Sequence, residues 1–443
     1  MKGSSAFNPL TIEARDRLKL LQNGSLRSVD LVETYVKQIQ RHDGYLHAMI
    51  STLPKEKLLR TAQTLDEERA AEKIRSPLHG LLIILKVSLS GNIATHPSLG
   101  LKTTAGSLAL DQSVVKKNAG VVATWMVCCG QTQSAYTTGD VDPDDGKDGH
   151  SASLKSFRII LRPAVAVSAG FAPFSIATET DGSLIVPAAR AALYGMKPTI
   201  GLVPQIGIVP VSHNMDAADR ETRESQGSYT TAVTESWEGI GVATLDPEVW
   251  NFPAQFLRPV HEATVQTNKE TGEAYQKLEE VTKPYAHHVD IIDLDLFKLD
   301  GRNSKTIVLN DDLANDINEY LEGLEVSPVR TLAELIKFNK QNADSELSPR
   351  DLHTNTSSED YERHLAHFRD VAKNQALDRI FAKYNVNVII APADSKFTCF
   401  ASGSGYPVAS LPLSYLDYNG RLFRLAAIAA AHEERSLIQA MSA

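Results

Sequence analysis

The chain has 443 residues, with 45 Lys and Arg against 54 Asp and Glu for a formal net charge of −9. At 42 % hydrophobic and 22 % charged residues it is too apolar for a disordered chain, and an acidic balance without long Lys/Arg runs argues against a nucleic-acid partner. Three cysteines, Cys128 and Cys129 adjacent and Cys399 distant, cannot build a disulfide framework and point to a reducing compartment. The first helix is predicted where Val32, Tyr35, Val36 and Ile39 fall at helical spacing, with Ser28 placed to cap it. A second is predicted from about Lys55 to Glu72, with Leu58, Leu59, Ala62 and Leu65 on one face and Pro77 and Gly80 beyond its end. Leu81 to Val87 is a continuous apolar run, interrupted only by Lys86, that suits a buried strand.

Residues 90–160 carry Gly, Thr, Ser and Asp clusters and few periodic segments. Beyond the small-residue run Ala164 to Ala172 comes a strand-like Phe174 to Ala177, then turn signals at Lys197-Pro198-Thr199 and Gly201. Helices are predicted near 262–283, 311–323, 331–343 and 358–384, with a strand at His288 to Leu294 and another at Asn387 to Ile390. An alanine-rich helix is predicted from about Leu425 to Met441. Strands alternating with helices argue for an α/β protein with a buried mixed sheet. No basic stretch followed by an apolar run opens the chain, and no run of about eighteen uncharged apolar residues occurs, so neither a signal peptide nor a membrane span is expected, which leaves cytoplasmic localisation as the default.

The sharpest local signal is Thr178-Glu179-Thr180-Asp181-Gly182-Ser183, followed by Leu184-Ile185-Val186-Pro187-Ala188-Ala189. A small polar turn with glycine beside serine leaves backbone N–H groups free to hold a developing oxyanion, and the serine can attack if a base is near. Taken alone, the same residues also read as an ordinary turn.

Three segments in order widen the context. His79-Gly80-Leu81-Leu82-Ile83-Ile84-Leu85-Lys86 resembles the H-G-x-P-x-x-x-K segment of the amidase signature family. Ile176 to Gly201 resembles that family's nucleophile segment and following strand, and Val209 to Asp216 resembles its next motif. Weaker similarity, closest to the fungal-type amidases, covers most of the chain. The resemblance implies the amidase-signature α/β fold, a central mixed β-sheet covered by helices on both faces, in one domain over 1–443 with a helical N-terminal segment of about 1–78 and a core of about 79–443. It implies hydrolysis of a carboxylic amide to acid and amine through an acyl-serine. In the family's Ser–cis-Ser–Lys triad Ser183 matches the nucleophile and Lys86 the neutral base, while the backbone of Thr180, Asp181, Gly182 and Ser183 would line the oxyanion hole. Burial favours the uncharged amine, which suits a lysine at the end of a buried strand. No metal or cofactor is implied, and the partner is a small-molecule amide rather than nucleic acid or membrane; the oligomeric state is not legible.

The sequence departs from the family where the relay serine belongs. Before Ala164 the family carries a Gly/Ser-rich stretch, whereas this chain reads Phe157-Arg158-Ile159-Ile160-Leu161-Arg162-Pro163. Ser153 and Ser156 lie just upstream, and Ser156 is the candidate displaced relay serine. Val87 to Gly91 intervenes before Asn92-Ile93, A-T-W-M-V-C-C fills 123–129, and Ala217-Ala218-Asp219-Arg220 replaces A-G-P after Asp216. These abrupt breaks keep a second reading open: a catalytically dead relative serving as a binding module, or a mis-joined gene product.

Other candidates are weaker. His364 and His367 share a helix face without an H-E-x-x-H pattern. The acidic run Asp140, Asp142, Asp144, Asp145 and Asp148 lacks the Gly and Glu of a calcium loop, since those positions hold Asp145 and Ser151. Gly149-His150-Ser151-Ala152-Ser153 lacks the second glycine of a nucleophile elbow. Tyr136 reads equally as a pocket residue and as a half-buried surface residue, and Cys128 and Cys129 as small buried hydrophobes.

Overall fold

The computed structural model describes residues 7–49, 51–86, 93–95, 104–118, 162–205, 207–217, 228–254, 259–344 and 356–443. Helices α1 (Ala14–Gln22), α2 (Ser28–Leu46) and α3 (Lys55–Ala70) lead the chain. Their apolar faces, among them Leu21, Leu31, Val32, Tyr35, Leu58 and Ala62, close over Leu81, Leu82, Ile84, Leu85 and Phe171. The expected cap is corrected here. Ser28 is the first residue inside α2, and its buried hydroxyl has no hydrogen-bond partner among the described residues. Its N–H and that of Val29 donate instead to the carboxylate of Asp66 on α3, at 2.7 and 3.1 Å. A charged acceptor from a packed neighbour displaces the local hydroxyl. Gly80, at φ +87°, lets the chain pass this corner, where a Cβ would collide with Ser28 Oγ.

The expected strand 81–87 is buried along its described length but is regular only over β1 (Ile84–Leu85). After α4 (Arg162–Ser168), β2 (Ser175–Ile176) runs parallel to β1 in a two-stranded sheet. Then follow α5 (Ile185–Arg190), β3 (Gly195–Lys197), β4 (Val242–Thr244), α6 (His261–Val281) and β5 (Tyr285–Ala286). The strand expected at 288–294 does not form. His288 takes a left-handed φ of 44°, and Leu294–Phe297 is a 3-10 turn. A short hairpin, β6 (Lys298–Leu299) and β7 (Arg302–Asn303), leads into α7 (Ser304–Gly323), which starts earlier than its periodicity suggests because Asn303 Oδ1 accepts from Thr306 N at 3.1 Å. Helix α8 (Leu332–Gln341) is next; α9 (Ser358–Asp370) continues through a π-helical stretch, Val371–Asp378, into α10 (Arg379–Tyr384).

The chain ends with β8 (Val388–Pro392), α11 (Thr398–Ser404), β9 (Val408–Tyr415), β10 (Leu422–Ala429) and α12 (Glu434–Ser442). The single alanine-rich helix expected over 425–441 is therefore a strand, a turn and a short helix. β10 lies between β9 and β8, and in such a place partners on both edges override the helix preference of alanine. The main sheet has the order β3-β9-β10-β8-β4-β5, with β4 parallel to β5 and β8 and the remaining neighbours antiparallel. One face, with Ile389, Ala391, Val408, Ala426 and Ile428, packs against α5, α9, α10 and α11 through Ile185, Phe368, Ile380 and Phe400. The other, with Val388, Ile390, Ala409, Leu425 and Ala427, packs against Tyr275 and Leu278 of α6 and Leu437 and Ala440 of α12. The result is a mixed sheet with helices on both faces. No helix among the described residues is long and apolar enough to cross a membrane.

Candidate active site

Lys86 follows β1 directly, and its amide donates to Ile176 O at 2.9 Å, extending the pairing with β2 by one residue. The register turns its side chain into the interior, where it is 1 % exposed. Its Nζ donates to the Thr178 carbonyl at 2.7 Å. Burial pulls the amine down to about 8, against the pull of Glu179 and Asp216. The H-G segment upstream is structural: His79 is buried, with Nε2 2.8 Å from Leu65 O and Nδ1 accepting from Arg75 N at 3.2 Å.

Thr178 opens the turn that ends at Ser183, and each side chain between them has a different anchor. Glu179 is buried beneath the turn, and its Oε2 accepts from Leu184 N and Ile185 N at 2.7 and 2.8 Å, fixing the entry to α5. Burial pushes this carboxyl up, against the charge of Lys197, itself fully buried on β3 and lowered by burial. Thr180 Oγ1 donates to Asp216 Oδ1 at 2.5 Å, and Asp216 Oδ2 accepts from Val211 N and Ser212 N at 2.9 and 3.2 Å. Burial holds the Asp216 carboxyl up at about 6 despite these bonds.

On its other side the turn meets α11 and α7. Ser402 Oγ donates to Thr180 O at 2.8 Å. Thr398 Oγ1 donates to Asp181 Oδ1 at 3.0 Å, Cys399 Sγ lies 3.2 Å from Asp181 Oδ2, and Lys305 Nζ pairs with the same oxygen. Burial opposes both charges of that pair, yet each overrides it in the other: Asp181 sits below the usual carboxylate range and Lys305 well above the usual lysine range. Burial, then Asp181, push the Cys399 thiol up to about 12. Gly182 has φ +75°, and a Cβ on it would lie 3.1 Å from Thr398 Oγ1.

This frame leaves the turn's own donors open. The backbone N–H groups of Thr180, Asp181, Gly182 and Ser183 donate to no described residue, and neither does Ser183 Oγ. Four consecutive N–H groups that meet no acceptor among the described residues form a ready site for an anion. Ser183 lines a cavity of about 140 Å3 with Pro163, Ala177, Pro187 and Tyr194. Asp181 and Gly182 line a separate one of about 490 Å3 with Phe252, Phe297 and Lys305.

The sequence expectations divide accordingly. Lys86 is tied to the first residue of the Thr178–Ser183 segment. Ser156 and Ser153, Tyr136, Cys128 and Cys129, the acidic run 140–148 and the 149–153 segment lie outside the described residues. His364 and His367 do not converge on one point: His364 Nδ1 lies 2.8 Å from Ser304 Oγ in the interior, and His367 Nε2 2.8 Å from Leu296 O. Lys305 carried no signal in the sequence, and Glu179 and Lys197 stood there only as members of turns, with no role of their own. Lys305 lies 124 residues from Asp181, beyond any local pattern.

A family model described as Amidase matches residues 30–126 and 163–223. The unmatched interval, 127–162, spans the place where the relay serine was missed in the sequence. A protein of Schizosaccharomyces pombe named as an amidase is 26 % identical, over 96 % of this chain and 83 % of its own length. One of Arabidopsis thaliana, likewise named, is 26 % identical over 98 % of this chain and 92 % of its own. The native peptide amidase of Stenotrophomonas maltophilia superposes with a TM-score of 0.77 at 23 % identity, covering 98 % of this chain and 96 % of that one. That last likeness is one of fold.

Proposed function

We propose that the chain is an amidase, as its likeness to the Amidase family model and to relatives named as amidases supports, and that it hydrolyses a carboxylic amide to acid and amine, with Ser183 attacking and Lys86 as the base. The observation that carries the reading is the buried Lys86 amine, lowered to about 8 and held on the carbonyl at the head of the Ser183 turn. A neutral amine accepts a proton, and near pH 8 about half of such a population is neutral. Ser183 Oγ bonds to the amide carbon as its proton passes towards Lys86, directly or through a relay hydroxyl, for which Ser156 is the candidate. The carbonyl oxygen becomes an oxyanion facing the N–H groups of 180–183. The tetrahedral species collapses, the C–N bond breaks, and the proton held by Lys86 goes to the leaving nitrogen. Water then attacks the acyl-serine and gives a proton to Lys86; the ester bond breaks, the same proton passes from Lys86 to Ser183 Oγ, and the acid leaves with both residues restored. No step calls for a metal or an organic cofactor.

The test is covalent. The folded chain is treated with a fluorophosphonate and its intact mass measured, alongside Ser183→Ala and Lys86→Ala. One adduct per chain, absent in the serine variant and slowed at least about 100-fold in the lysine variant, is the expected result. No adduct on a chain that melts cooperatively would overturn hydrolysis in favour of a relative that keeps the pocket without the chemistry.

A further inference from the structure

Asp181 places a carboxylate inside the turn whose N–H groups would receive an oxyanion. Left charged and alone, it would repel that anion and cancel much of what the N–H groups provide. The carboxylate cannot simply swing away. Thr398 and Cys399 of α11 hold one oxygen each, and the neighbouring Gly182 lies where an added Cβ would come within 3.1 Å of Thr398 Oγ1. Both these contacts leave its charge in place. The cation that meets it comes from the first turn of α7, where Lys305 Nζ pairs with Oδ2 and also reaches Cys399 Sγ at 3.4 Å. That turn of α7 is itself fixed, because neighbouring Ser304 is buried with its hydroxyl 2.8 Å from His364 Nδ1.

We infer that Lys305 is a positioning residue of the oxyanion turn, whose ammonium cancels the charge of Asp181 so that the turn can accept an anion. The inference rests on the amide-hydrolysis reading of the same site. It differs from a plain structural bridge in one respect: the need for Lys305 disappears when Asp181 loses its charge.

The experiment is a calorimetric titration of the full chain with phenylphosphonate, a tetrahedral oxyanion that needs no activated serine, run beside fluorophosphonate labelling and amide turnover. Lys305→Met is expected to weaken phenylphosphonate binding by about 10- to 100-fold. Lys305→Arg stays within about 3-fold, since a guanidinium still pairs with the carboxylate. The double variant Lys305→Met/Asp181→Asn regains binding to within a few-fold of wild type. Lys298→Met removes a cation from the rim of the same cavity and leaves binding unchanged, which separates local neutralisation from net charge. In turnover the Lys305→Met loss falls on kcat rather than KM. If Lys305→Met does not melt cooperatively, Lys305→Gln makes the same comparison, because it keeps a hydrogen-bond donor and removes the charge.

Three results overturn the inference: no phenylphosphonate binding by the wild type, a double variant as weak as the single, or an equal loss in Lys298→Met. A wild type that shows the expected binding pattern but neither labels nor turns over would overturn hydrolysis and leave the role of Lys305 standing.

Discussion

Lys86 illustrates what burial does to a single amine. In water its ammonium would persist to about 10.5; in the interior the amine is lowered to about 8. Labelling of Ser183 should therefore rise tenfold per pH unit below about 8 and level off above it, and a pH-rate profile checks this. A flat profile between pH 6 and 9 would remove Lys86 as the base. The same shift acts on stability. Between pH 8 and 10.5 the unfolded chain binds the proton that the folded chain has lost, so stability rises with pH across that window, by roughly 3 kcal/mol in total. Urea unfolding from pH 7.5 to 10.5 should show a stability that rises less steeply with pH in Lys86→Met than in the wild type. At this scale the sequence was informative where residues are contiguous or spaced by a motif. Lys86, Ser183 and the N–H groups between 180 and 183 could be named in that way, and their roles are those of the proposal above. Asp216 and Lys305 act by reaching across the fold, and only the assembled elements bring them to the turn.

Among the elements, α2 shows how a helix start is set by its neighbour. Asp66 accepts from two of the free N–H groups of α2 while itself belonging to α3. Asp66→Ala should lower unfolding free energy by about 1–2 kcal/mol, measured by urea denaturation, because two half-buried donors lose their acceptor. Ser28→Ala should cost far less, since its hydroxyl has no hydrogen-bond partner among the described residues. The serine at the start of the periodic run was the reasonable local choice. What it missed was an acceptor 37 and 38 residues away with a full negative charge. The same lesson runs through β10. Leu425 to Ala430 has the composition of a helix, but its small side chains suit a central strand that must admit helices above and below. Helices with a clear apolar stripe, such as α3, α6 and α9, lie within a few residues of where periodicity puts them.

Across the whole molecule, one carboxylate joins three distant stretches. Asp394, just after β8, accepts from Arg190 Nε and Nη2 at 3.0 Å each and from Arg421 Nη1 at 2.9 Å. Arg190 ends α5, the helix that begins two residues past Ser183, and Arg421 precedes β10. Both guanidiniums are almost fully buried. Asp394→Asn should therefore destabilise the fold by about 3–5 kcal/mol, read as a drop in Tm and in denaturation midpoint, because two buried cations lose the charge that compensates them. A loss below about 1 kcal/mol would mean that other acceptors suffice. The α/β class and the mixed sheet were legible from alternating strands and helices. The strand order was not, since it depends on which distant segments meet.

That order bears on how the chain is made. β3 and β4 leave the ribosome long before the strands that lie between them, for β9, β10 and β8 all come from residues 388–429. During synthesis the sheet has flanks and no middle, and the apolar surfaces meant for its two faces stay open until those strands arrive. Such non-local pairing closes slowly and exposes a chain to aggregation and to chaperones on the way. A chain cut before Val388 would lose the centre of its sheet rather than an end, and every strand that remained would be an edge or an orphan.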